Sequence, residues 1–305
     1  MAGLVLQPGG RRDYHAFSIR ASNAPLHAPM HNLPLQFLGG GNMADAIIAG
    51  LIAAGHATER ILVVEPDARR AEALRSRHGV EVLAPGAPLQ AEAVTVLAVK
   101  PQVAAEALAA TPVPAGALLV SIAAGLSCDW LRRQLPAGVR VARCMPNTPA
   151  RLGAGVTGIW ADADIDAAAH AQIDYLLGAA GATVWLESEA QIDAVTALSG
   201  SGPAYVFALG EAMAAAGRQL GLPAETAEKL ARQTLIGAGR LLAEDTATVG
   251  ELRARVTSAG GTTAAALAEL EAGDLNGLMA RAMQAAAERA RELSAPPPHD
   301  EGAKH

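Results

Sequence analysis

A short, mostly apolar run, Leu35–Leu38, leads directly into Gly39-Gly40-Gly41 and then into residues 42–54, whose apolar positions recur at helical spacing. A strand, a tight turn and a helix in that order commit the chain to an α/β layered arrangement. The pattern repeats, because Ile61–Val64 is a second apolar run and residues 94–99, 117–122 and 139–144 are further ones, each closed by a break. After a short strand-like piece at residues 155–160, helical spacing takes over almost to the end.

The first turn has a nucleotide-binding form. Gly39 and Gly41 permit the turn and the close approach of a pyrophosphate, and Ala44 is the third small residue that lets the helix lie on the sheet. Gly40, Asn42 and Met43 complete the loop. The second strand ends in Glu65, an acid placed to bind the adenosine ribose hydroxyls and so to favour NADH. Arg69 and Arg70 stand just beyond and can instead grip a 2′-phosphate, or form a solvated first turn of the helix that starts near Asp67. Cofactor preference, NADPH or NADH, stays open on this reading. Ala98, Val99, Lys100 and Pro101, and then Ile122, Ala123 and Ala124, fall at strand ends, the edge where open α/β sheets bind ligands. In Met145-Pro146-Asn147-Thr148-Pro149 two prolines hold a loop whose polar groups either face the nicotinamide or substrate or merely connect domains.

A Rossmann-type α/β dinucleotide-binding domain is therefore expected over residues 34–160, followed by an all-α domain over residues 161–294. Helices are expected at 164–179, 203–220, 224–243, 263–271 and 274–293, with a brief strand at 184–186. Hydrophobic residues make up 51% of the chain and aromatic ones only 3%, so Ala, Leu and Val must fill the interior. The Ala-rich helical set is more than one small domain needs to cover itself. It implies a homodimer packed through these helices, with higher assembly open.

Two further segments are rich in small and hydroxyl residues: 196–205 (TALSGSGPAY) and 256–263 (VTSAGGTT). The second leads straight into a helix, so Ser258, Gly260, Gly261 and Thr263 form a hydroxyl and N–H cradle at the positive helix end. An N-capped turn would need less than paired glycines followed by paired threonines. The cradle suits a small carboxylate.

The rest of the composition excludes other classes. A net charge of −6 with scattered arginines argues against a nucleic-acid surface, and no apolar run is long enough to cross a bilayer. Cys128 and Cys144 fit neither a disulfide framework nor a metal pattern and read as packing residues of a cytoplasmic protein. Residues 1–33, with three arginines and no apolar periodicity, read as a disordered extension or as sequence ahead of a start at Met30. An organelle transit peptide is the other reading of that segment. Residues 295–305 read as a tail.

From Phe37 to about Leu293 the chain resembles pyrroline-5-carboxylate reductase. FLGGGNMA, LAVKPQ, SIAAG, RCMPNTP, DAVTALSGSGPAYVF and VTSAGGTT occur in that family's order and spacing. The resemblance implies a Rossmann domain, an α-helical domain exchanged within a dimer, and a ring of five dimers in many members. It implies a cofactor held by residues 39–44, 98–101 and 122–124, and a substrate carboxylate held by Ser258, Gly260, Gly261, Thr262 and Thr263. Ala259 stands where the family commonly has proline, Ala254 where it often has aspartate, and Pro85 where asparagine is frequent; Thr248-Val249-Gly250 replaces a common His-Pro pair.

The implied reaction is hydride transfer to a cyclic imine that is readily protonated in water, so position matters more than a strong acid. Consistent with this, no histidine lies between His170 and His299, and Lys229 is the only lysine of the helical domain. Thr263 is assigned as carboxylate ligand and contact to the imine, with Ser258 assisting, and no side chain is assigned as general acid. A β-hydroxyacid dehydrogenase or other imine reductase is the neighbouring alternative; the former would want a lysine or histidine in the substrate domain. A non-catalytic nucleotide-binding regulator would be expected to lose the hydroxyls of Ser258 and Thr263.

Overall fold

The computed structural model describes residues 28–294. Residues 1–27 of the expected extension and the whole expected tail, 295–305, lie outside the described residues. The extension was expected to run to residue 33, yet Ala28–Asn32 forms a 3-10 turn whose Met30, with Leu33, packs partly buried against the core.

β1 (Leu35–Leu38) passes through the glycine loop into α1 (Asn42–Ala53). The alternation continues as β2 (Ile61–Val64), α2 (Ala68–His78), β3 (Glu81–Leu83), β4 (Val94–Leu97), α3 (Ala104–Ala110), β5 (Leu118–Ser121), α4 (Cys128–Arg133) and β6 (Arg140–Met145). These six strands are parallel in the order β3-β2-β1-β4-β5-β6. Strands buried on both faces read as unbroken apolar runs, and the core accordingly splits into two layers. Leu35, Phe37 and Val63 face α1 and α2, whereas Leu38, Leu97 and Leu119 face α3 and α4. Gln36 is the polar exception inside β1; its amide donates to Thr95 Oγ1 and the Gln90 carbonyl and accepts the Gln90 N–H, so no polar group is stranded.

The sheet does not end where the apolar period changes. β7 (Gly155–Ala161) runs antiparallel to β6, α5 (Ala167–Gly178) covers the sheet, and β8 (Gly181–Trp185) pairs parallel with β7. Ile173, Tyr175, Leu176 and Leu177 of α5 belong to the same core cluster as β1. The sheet unit thus reaches Trp185, past the boundary at residue 160 expected from the sequence. The helical period is local and does not say which layer a helix covers. β8 also begins three residues earlier than expected, because Gly181, Ala182 and Thr183 give little strand signal but fit tightly against β7.

The remainder is helical: α6 (Gln191–Val195), a π-turn at Thr196–Gly200, α7 (Gly202–Gln219), α8 (Ala224–Glu244), α9 (Val249–Arg255), α10 (Thr262–Ala272) and α11 (Leu275–Ser294). Close contact of α7 with α8 uses Gly210, where a Cβ would stand 2.8 Å from Leu235 Cδ1. α9 opens on a capping box between Thr248 and Glu251. This layer has almost no core of its own: Phe207 is 67% exposed, and Leu198, Leu209 and Leu241 are exposed too. Among the described residues no helix is long and apolar enough to cross a membrane.

Candidate active site

The glycine loop is built by steric necessity. Gly39 has φ +98°, and a Cβ there would stand 2.7 Å from Val99 Cγ1 and 3.0 Å from the Ala98 carbonyl. At Gly40 a Cβ would meet Leu74 Cδ1 at 2.4 Å. Gly41 is the N-cap of α1 with no side-chain capping bond, which leaves the first N–H groups of a twelve-residue helix to face a ligand. Ala44 is fully buried against the sheet; Asn42 is exposed and Met43 packs at the core margin.

Glu65 sits at the adjacent strand end, 6% exposed. Its Oε2 accepts the Gly40 N–H at 2.8 Å and its Oε1 the Asp67 N–H at 2.9 Å. Arg70 Nη1 lies 3.6 Å from the same carboxylate, while Arg69 is exposed beside it on the first turn of α2. Both carboxylate oxygens therefore already hold backbone, with lone pairs left over for a ligand hydroxyl.

The other two strand ends close on the same edge. Ala98 N–H donates to the Leu38 carbonyl and Ile122 N–H to the Leu97 carbonyl, which aligns the loops after β1, β4 and β5 side by side. Val99 touches the glycine loop, Lys100 is exposed, and Pro101 starts a 3-10 turn. Ala123 is buried and Ala124 exposed at the turn that ends in Gly125. There the C-terminal end of α11 comes down on the loop; a Cβ at Gly125 would stand 2.9 Å from the Leu293 carbonyl.

The hydroxyl loop leads into α10. Gly260 has φ +69°, and Gly261 admits Ser258, whose Oγ stands 2.4 Å from where a Cβ would be. Gly261 is the N-cap of α10 without a side-chain capping bond, with Thr262 and Thr263 as the first helical residues. The cradle has hydroxyls, free helix N–H groups and room. Within one chain, though, no hydrogen bond or ion pair of the described residues joins it to the cofactor-edge loops.

Comparison with known proteins bears on both halves. The model of the pyrroline-5-carboxylate reductase dimerisation domain matches residues 189–293, and that described as NADP oxidoreductase, coenzyme F420-dependent matches residues 34–125. The pyrroline-5-carboxylate reductase of Pseudomonas aeruginosa is 44% identical over 85% of this chain and 96% of its own length. The chain belongs to the pyrroline-5-carboxylate reductase family. The reductase of Haemophilus influenzae is 40% identical over 98% of its length. Among solved structures, that of the Coxiella burnetii pyrroline-5-carboxylate reductase aligns with TM-score 0.81 at 39% identity, over 87% of this chain and all of the other. The Plasmodium falciparum pyrroline carboxylate reductase, solved with NADP bound, aligns with TM-score 0.71 at 25% identity over 87% of this chain and all of the other.

In this reductase-family chain Arg143 and Asn147 stand at the junction of the sheet with the helices. Arg143, 6% exposed in β6, donates to Glu189 at 2.9 Å and to Ser294 Oγ at 3.4 Å, and lies 3.9 Å from Asp193. Its open charged cleft, completed by Arg291, ties β6 to α6 and α11. Asn147 is buried, with both ends of its amide engaged, whereas Thr148 is exposed. An arginine inside an apolar strand was the one sequence signal for the first; for the second it was the proline-held loop, whose polar groups were read as facing the nicotinamide or substrate or as merely connecting domains.

Proposed function

We infer that this protein reduces 1-pyrroline-5-carboxylate to L-proline by hydride transfer from NAD(P)H, the last step of proline biosynthesis. Its 44% identity to the Pseudomonas aeruginosa enzyme over nearly that protein's whole length carries the reading. The glycine cradle supports it: a Cβ at Gly39 would strike Val99 and the Ala98 carbonyl, and one at Gly40 would strike Leu74, so only glycines give the tight turn that lets a pyrophosphate approach the backbone.

Bound there, the reduced nicotinamide supplies the hydride that the C=N carbon accepts. The chain's own work is to bind and orient. Gly39, Gly40, Gly41 and the start of α1 would hold the pyrophosphate, and Ala98 to Pro101 and Ile122 to Ala124 would hold the rest of the cofactor along the same sheet edge. Ser258, Gly260, Gly261, Thr262 and Thr263 fix the substrate carboxylate, with Thr263 also touching the ring nitrogen, which carries its proton from solution. Fixing both reactants replaces a strong acid with orientation.

Among the described residues no hydrogen bond or ion pair joins the hydroxyl loop to the cofactor edge within one chain. We therefore place the loop of one protomer over the cofactor edge of its partner in a homodimer, the exposed apolar faces of α7 and α8 being covered there. Five such dimers in a ring and a cytoplasmic location complete the proposal. Glu65 argues for NADH and the arginine pair Arg69 and Arg70 for NADPH.

The test is direct. Purified protein is mixed with 1-pyrroline-5-carboxylate, and loss of reduced-nicotinamide absorbance is followed with NADPH and NADH in parallel. Rapid oxidation of either is expected, and the ratio of the two rates ranks the cofactors. Folded, cofactor-binding protein that oxidises neither sinks the reading.

A further inference from the structure

α6, the π-turn Thr196–Gly200 and α7 form one rod that leaves the sheet and carries the helical domain. Its middle is irregular for a covalent reason. The carbonyl of Ser199 would accept the N–H of residue 203 in a regular helix, but residue 203 is proline and has none. The chain widens there instead, with Ser201 N–H donating to the Thr196 carbonyl.

The orphaned Ser199 carbonyl is taken by Asn147. Asn147 Nδ2 donates to it at 3.1 Å, while Asn147 Oδ1 accepts the Val156 N–H at 2.9 Å. The partners fix the amide's orientation, since a carbonyl only accepts and an N–H only donates. Asn147 follows β6 by two residues, at the same junction where Met145 touches the bulge: a Cβ at Gly200 would stand 2.8 Å from Met145 Cε. On the other flank Gly158 of β7 admits Val195, whose methyls would meet a Cβ at 2.8 Å. Sheet and bulge are therefore in contact along two strands, and Asn147 supplies the directional bond between them.

We propose that Asn147 is a positioning residue for the reduction: its amide locks the bulged joint to the sheet and thereby sets the angle at which the helical domain meets the hydride-transfer edge. The proposal rests on the reductase reading above. Small displacements of a reacting pair cost rate out of proportion to binding, so loss of the lock acts on turnover rather than on the cofactor, whose loops Asn147 does not touch.

The test separates positioning from mere capping. Asn147→Asp keeps the shape and the bond from Val156 but turns the donor into an acceptor facing the Ser199 carbonyl; Asn147→Ala removes both bonds. Either should lower kcat by roughly tenfold or more, with the Kd of reduced cofactor within about twofold of the parent. Pro203→Ala returns an N–H at residue 203 for the Ser199 carbonyl but no acceptor for the Val156 N–H, so the Asn147→Ala, Pro203→Ala double variant should regain part of the Tm lost in Asn147→Ala but not its kcat. Unchanged kcat in both single variants overturns the proposal, and so does a double variant that regains kcat together with Tm. If the single variants do not fold, the double variant carries the kinetic comparison, and failure of it to fold as well leaves only a structural role and overturns the assignment. An inactive parent protein would instead count against the reductase reading itself.

Discussion

The Glu65 carboxylate accepts the Gly40 N–H at 2.8 Å, so the end of β2 holds the shape of the glycine loop at the end of β1. Glu65→Ala would leave the buried Gly40 N–H without its acceptor, a loss of about 1–3 kcal/mol, while the Asp67 N–H, on an exposed residue, can turn to water. Fluorescence titration should show NADH and NADPH binding weakened together, by roughly tenfold. Stronger NADPH binding with NADH binding merely reduced would instead make ribose recognition the main work of Glu65.

Thr263 heads α10 beside the Ser258 cradle. Thr263→Ala should lower kcat/KM for the imine by roughly tenfold, the equivalent of one charge-assisted hydrogen bond of about 1.5 kcal/mol. Cofactor Kd should not move. Steady-state kinetics equal to the parent would remove Thr263 from the site.

Phe207 is 67% exposed on α7, amid an apolar face that one chain leaves uncovered. Phe207→Asp places a charge where two such faces are proposed to meet, at a cost of several kcal/mol for desolvating it. Light scattering after size-exclusion chromatography should show the parent as a dimer or larger and the variant as a monomer, with reductase activity lost alongside. A parent that is monomeric at micromolar concentration is incompatible with the shared site.

Burial sets two opposite pH limits on stability. It pushes the Cys128 thiol, helped by nearby Glu189, up to about 12 and the Tyr175 hydroxyl also up to about 12. Both stay neutral in the folded chain while the unfolded chain loses its protons first, so stability should fall as pH rises from about 9 towards 12. Burial, with His31 close by, lowers His56, whose Nδ1 meets the Tyr175 hydroxyl at 2.8 Å. The unfolded chain then takes up the proton first, and stability should fall as pH drops below 6.5, the ordinary value of the imidazole. Urea unfolding across pH should show both limbs, with the acid limb flattened in His56→Gln. An acid limb of the same slope in that variant would show that His56 does not stay neutral in the folded state.

The helical domain meets the sheet through bonds that span long stretches of chain, and these explain what the linear pattern conveyed and what it did not. β1 and β2, the glycine turn and the long α8 were legible because each is a local pattern of apolar spacing and backbone-permissive residues. The α/β sheet followed by helices was legible for the same reason. β3 was not, since three residues including a glutamate carry little signal, nor was the place of α5 and β8 in the sheet, because a helix's period is blind to the layer it covers.

The composition of the site divides in the same way. The sequence by itself determined which residue types could meet a pyrophosphate or a carboxylate, because only glycine tolerates φ +98° at Gly39 and only a small residue admits Ser258 at Gly261. Tertiary structure alone decided that Glu65 braces the glycine loop and that Asn147 takes the carbonyl Pro203 leaves unpaired. A hydrogen bond between residues twenty-five or fifty-two positions apart is set by how strands and helices stack, and no local propensity encodes that distance.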